Sequence, residues 1–179
     1  MSNASDTANV TLSICDFAII DPASNKPTII GAAQTILQAQ PHTDPNLPDH
    51  VITPPFSIYA NITLPHELSG EQYVLSVDLR DSTGEIVNLP NSENKLRFNQ
   101  IVNAEVPNFP PDFPHHRLPA QHNITINFAS GLPLLPQSVY YWTIQIDGND
   151  NPHWVTPMLV LPSQINPDSN PNIHQPLIG

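Results

Sequence analysis

The chain has 179 residues, with 22 prolines against 6 glycines and 16 acidic residues against 5 basic ones, a formal net charge of −11. Lys26, Arg80, Lys95, Arg97 and Arg117 are the only cations, and they form no cluster. That excludes recognition of a nucleic-acid backbone and docking on anionic lipid, both of which need grouped Lys and Arg. One cysteine, Cys15, excludes an intrachain disulfide and any multi-cysteine metal site.

The length suits one ordinary domain, and the apolar fraction of 39% leaves room for loops and tails. Prolines recur from Pro22 to Pro176 and leave little space for long helices. No apolar run reaches the ~18 residues of a membrane span, so no membrane insertion is expected. Residues 1–9 are polar and lack the charged start and apolar run of a signal peptide, so the expected location is cytoplasmic. The same segment is expected to be flexible. Asn9-Val10-Thr11, Asn61-Ile62-Thr63 and Asn123-Ile124-Thr125 match the glycosylation pattern. Without a secretion signal they read as strand residues.

Val10, Leu12 and Ile14 alternate, and then Cys15, Phe17 and Ile19 do, so the apolar face switches near Asp16. A bulge or burial on both faces accounts for that. Asp21 to Asn25 is a turn cluster. Thr28 to Gln40 reads as one strand pairing back onto the first, because its β-branched start and Gly31 outweigh its Ala and Gln content. Pro41 to Pro55 is a proline-rich loop. Phe56 to Leu64 gives a third strand. Tyr73, Leu75, Val77 and Leu79 mark a fourth, followed by an Asp81-Ser82-Thr83-Gly84 hairpin turn returning through Ile86 and Val87. Leu96, Phe98 and Val102 suggest a fifth, and Ile124, Ile126 and Phe128 a sixth.

Val139 to Asp147 is the clearest strand in the chain. Tyr140, Trp142, Ile144 and Ile146 fall on one face, with Tyr141, Thr143, Gln145 and Asp147 on the other. Asp147 to Asn151 reads as a long hairpin turn, and Trp154 to Leu161 as an eighth strand. Together these predict an all-β chain: a single antiparallel β-sandwich or jelly-roll-like domain of about seven to nine strands over 10–162. Residues 163–179 read as a Pro- and Asn-rich tail.

Several segments resemble an uncharacterised β-sandwich family found mainly in actinobacteria. They are Ile14-Cys15-Asp16-Phe17-Ala18 with Ile29-Ile30-Gly31, Pro55 to Ala60, Gly70 to Asp81 with Gly84, and Tyr140 to Gly148. The Pro-Gly turn frequent before that family's penultimate strand is replaced here by Pro136-Gln137-Ser138. The resemblance implies the sandwich fold and a bacterial origin. It carries no catalytic residues, so none are transferred.

Candidate sites are weak. His115, His116 and His122 form the one histidine cluster. Adjacent histidines on a strand point to opposite faces, and the nearest acid, Asp112, lies among prolines, so a solvent-exposed loop is the better reading than a metal site. Cys15 lies in an apolar run beside Asp16, which raises a thiol pKa, so a buried small hydrophobe outweighs a reactive nucleophile. Asp78, Asp81 and Asp147 read as solvated turn residues rather than paired catalytic carboxylates. The Asp147–Asn151 turn has its glycine too early for a calcium-binding EF-hand and no Glu after it. Neither Gly-x-Ser-x-Gly nor a phosphate-binding loop occurs. No metal, cofactor or catalytic residue is therefore assigned.

The better lead is aromatic. Phe109, Pro110, Pro111 and Phe113 lie in a stiff proline-rich segment whose phenylalanines either fold back over an open end of the sandwich or present a preformed binding surface. Tyr59 and Tyr141 are expected on outward strand faces. The reading is a non-enzymatic protein-interaction or structural module: an accessory subunit, adaptor or assembly component. Its partner is a protein or a second copy, bound through proline-rich loops, tails or a sheet edge. The alternatives are a carbohydrate- or small-ligand-binding sandwich, a phage or virion structural protein, and a metal-dependent jelly-roll enzyme.

Overall fold

The computed structural model describes residues 4–106 and 118–162. Phe109, Pro110, Pro111, Phe113, His115, His116 and the segment 163–179 lie outside the described residues. The described chain is an all-β, sandwich-like domain. After the turn α1 (Ala4–Thr7) come β1 (Asn9–Cys15), β2 (Phe17–Ile20), β3 (Pro27–Ile30), β4 (Ile36–Pro41), β5 (Val51–Ile52) and β6 (Phe56–Leu64). They are followed by β7 (Gln72–Arg80), β8 (Arg97–Asn103), β9 (Ala120–Phe128), β10 (Pro133–Leu134), β11 (Ser138–Ile146) and β12 (Asn149–Pro162). No helix among the described residues is long and apolar enough to cross a membrane.

The strands form a small sheet in the order β1-β6-β9, a large sheet in the order β10-β5-β4-β12-β11-β7-β8, and the β2-β3 hairpin. Pairing is antiparallel except between β12 and β4, which run parallel. The period of two in β11 places its inner row in the core: Tyr140, Trp142, Ile144 and Ile146 are all buried. Trp142 packs against Phe56 and Phe128 from the small sheet, at ring separations of 6.4 and 5.4 Å, and those two phenylalanines stack at 4.7 Å. The core thus lies between the sheets and is centred on this aromatic group.

Several expectations change in detail. The face switch at Asp16 is not a bulge: the end of β1 is buried on both faces, Ile14 in the main core and Cys15 in a second cluster with Ala18 and Tyr59, and the chain then leaves β6. Up to Cys15 it pairs with β6, and from Phe17 it pairs with β3. Phe17 and Ile19 then point outward while Ala18 is buried. The stretch Thr28 to Gln40 is two strands. Gly31, at φ +65°, packs so closely on Asp16 that a Cβ would lie 2.0 Å from its Oδ2. This turn hands the chain from the hairpin to β4 in the large sheet. The loop Pro41 to Pro55 contains β5, seated against Gln40 and Pro41.

Within the N-terminal segment Ala4 packs into the core, Ala8 packs against it and Ser5 is buried. The turn after β11 is short. Asp147 and Gly148 both have positive φ, 51° and 78°, the backbone of a two-residue hairpin loop, and β12 begins at Asn149. Pro157 sits inside β12 without breaking it. It pairs with Tyr141 on one side, and β4 joins the other side only from Leu159 onward, so the missing N–H costs no ladder bond to β4.

Candidate interaction surface

One side of the sandwich is closed. There β1 lies along β12, and the Thr156 hydroxyl donates to the Leu12 carbonyl at 2.8 Å. Among the described residues the opposite side is open. β8 ends the large sheet and β9 ends the small one, each with one edge that no strand among the described residues pairs. Between them lies a cleft of about 500 Å³. Its floor and walls are Leu75, Val77, Phe98, Ile124 and Ile126, with amides at the rim. The Glu105–Gln121 bridge spans one end. At the other, Phe98 meets Phe128 edge-on at 5.9 Å.

β8 is built to be seen. Of its residues, Arg-Phe-Asn-Gln-Ile-Val-Asn, only Val102 is buried. Ile101 is 69% exposed, the most exposed large apolar side chain among the described residues. Its partner in register, Val74, is 47% exposed beside it. The strand contains no Lys, Glu, Asp or Pro and no register shift against β7. Those are the usual guards on an edge strand, and without them its unpaired N–H and C=O groups are a template for another strand.

The one charge on β8 is fixed in place. Arg97 donates from Nε to Asp78 Oδ1 at 2.7 Å and from Nη2 to Asp78 Oδ2 at 2.6 Å. Asp78 also accepts from Arg80 at 3.3 Å. The cluster continues through Gln145, which accepts from Arg97 at 3.1 Å and donates to Asp150 at 2.7 Å. Asp78 is fully buried beneath these side chains, which corrects its reading as a solvated turn residue. Its period-two position puts it on the outer sheet face, where the two guanidinium stems cover it. Hydrogen bonding to Asp78 raises the Arg97 pKa further. Asp81, by contrast, is an exposed turn carboxylate held below its usual range by the Thr83 hydroxyl and backbone.

The other sequence candidates separate. Tyr141 is half-buried on the outer face of the large sheet, in register with Arg80 and Pro157. Tyr59 is not exposed. It points away from the core but is covered by the β2-β3 hairpin, packs with Cys15 and Ala18, and donates to Asn123 Oδ1 at 2.8 Å. Burial raises its pKa. Cys15 is fully buried, with its thiol donating to the Ser57 carbonyl at 3.4 Å, and burial together with Asp16 pushes its pKa up.

His122 lies between the sheets beside Tyr73 and Leu75, with Nε2 buried and unpartnered, and burial lowers its pKa. Among the described residues, no group of three His, Cys, Asp or Glu side chains could hold a metal ion. The sequence placed a strand at β8 but not its position at an open edge. The absence of Lys, Glu, Asp or Pro in the strand was the available signal. Comparison with protein-family models, curated proteins and solved structures finds no match.

Proposed function

We propose that this chain is a non-enzymatic interaction module that binds protein by accepting a β-strand at the free edge of β8. The observation that carries this reading is the unguarded edge strand lying over an open apolar cleft. An added strand would satisfy the outward backbone groups of β8 and set alternate side chains over Leu75, Val77 and Ile126. Ile101 and Val74 extend the contact on the outer face. The Arg97–Asp78 clamp supports the reading because it fixes the strand and leaves no mobile charge on the edge. The one nucleophile singled out in the sequence, Cys15, is buried against a backbone carbonyl, which favours binding over catalysis.

The test is a photo-crosslinking residue at position 100, in the middle of β8, compared with the same residue at Asn91 in an exposed turn. In cell extract, adducts of defined mass should form from position 100 and not from 91, and Ile101→Lys in the same chain should suppress them. Equal labelling at both positions, indifference to Ile101→Lys, or no adduct from position 100 would contradict the reading.

A further inference from the structure

We infer that the strand taken up by β8 is β8 of a second copy, giving a two-fold dimer with one continuous sheet; this rests on the strand-acceptor reading above. Charge selects the occupant. The chain carries −11, so most surfaces of two copies repel each other. The β8 edge carries no acidic residue, and its arginine is already bound to Asp78. It is a stretch where two copies meet without opposing negative charges.

The side chains are also self-complementary. A two-fold axis through Gln100 sets antiparallel pairs Arg97 with Asn103, Phe98 with Val102, and Asn99 with Ile101, and pairs Gln100 with its own copy. No like charges face each other in that register, whereas like charges directly opposite destabilise a sheet. On the inner face, Phe98 of each copy, which lines the cleft, meets the buried Val102 of the other. On the outer face, Ile101, exposed in the single chain, gains a neighbour across the new pairing. An isologous contact closes on itself, so it ends at a dimer instead of running on as a fibre. The segment 163–179 is a poorer occupant, because Pro167, Pro171 and Pro176 interrupt it and cannot donate to a ladder.

The register makes the test specific. Opposed residues of antiparallel strands have Cα atoms about 4.5–5.5 Å apart, within the span a disulfide needs. The chain's own Cys15 is fully buried and leaves the background low. Under mild oxidation of the purified full chain, Gln100→Cys should give a covalent dimer, and Asn103→Cys, which faces Arg97 of the other copy, should give at least several-fold less. Sedimentation of the unmodified chain should show a dimer at concentrations up to on the order of 100 μM. Ile101→Lys, at a solvent-exposed position, should return it to a monomer with unchanged circular dichroism.

A monomer throughout that range, or equal crosslinking from positions 100 and 103, overturns the inference. If the purified chain is monomeric while position 100 still crosslinks to a different protein in extract, the self-pairing falls and the strand-acceptor reading stands. If neither occurs, both fall.

Discussion

Arg97 grips Asp78 through two near-parallel hydrogen bonds, at 2.7 and 2.6 Å, and so ties the outermost strand of the large sheet to the strand beside it. The carboxylate is fully buried, whereas the Arg97 side chain keeps 36% of its surface exposed. The two ends of the pair are therefore not equivalent. Losing Arg97 strands a buried carboxylate with only Arg80 at 3.3 Å. Losing Asp78 frees a guanidinium that can turn to water. Arg97→Ala should cost about 3 kcal/mol and Asp78→Ala about 2 kcal/mol, the larger loss falling where a buried charge is left without its main partner. Urea unfolding of the two variants checks the order. The Arg97 variant should also loosen β8, seen as faster amide exchange confined to that strand.

Gly31 is the second point where one atom decides the path. Any side chain there meets a φ of +65° and the Asp16 carboxylate together. Gly84, at φ +88°, has open space around its α-carbon. Gly31→Ala should therefore cost about 2–3 kcal/mol, against about 1 kcal/mol for Gly84→Ala, since the second carries the left-handed backbone penalty alone. Thermal or urea midpoints of the two variants measure the difference.

His122 sets a pH dependence. Burial lowers its folded pKa below the ordinary 6.5, with Glu105 and the Asn103 backbone opposing. The folded state thus resists a proton that the unfolded chain accepts. The stability contributed is fully present above about pH 6.5, falls as the pH drops from there toward the lowered folded pKa, and levels off below it. Urea midpoints at pH 7.5 and 5.5 should fall more for the native chain than for His122→Leu. Equal losses would assign the acid sensitivity to other groups.

The sequence was legible where one physical term dominated. In β11, alternation alone marked the buried row from Tyr140 to Ile146, and the structure buries all four residues. Strands β6, β7 and β9 were found for the same reason. Alternation says nothing about which strand neighbours which, so the parallel β4-β12 pair and the open β8-β9 side could not be read from it. Asp78 was misread because a carboxylate near a turn is usually solvated. Its burial depends on arginines 2 and 19 residues away along the chain, which only the pairing of β7 and β8 brings together. Tyr59 was misread because an outward face was equated with an exposed one. The hairpin that covers it depends on the turn at Gly31, a long-range contact without a local signature.

The claim that β8 accepts a strand is tested most directly by amide exchange along Arg97–Asn103 in the full chain, measured at two widely separated concentrations. In a single copy, the alternate amides that do not bond to β7 face solvent and exchange quickly. The account expects those amides to slow at high concentration while the amides bonded to β7 change little, and expects Ile101→Lys to abolish the slowing. Outward amides of β8 that exchange at the same rate at both concentrations, and also in cell extract, would contradict it.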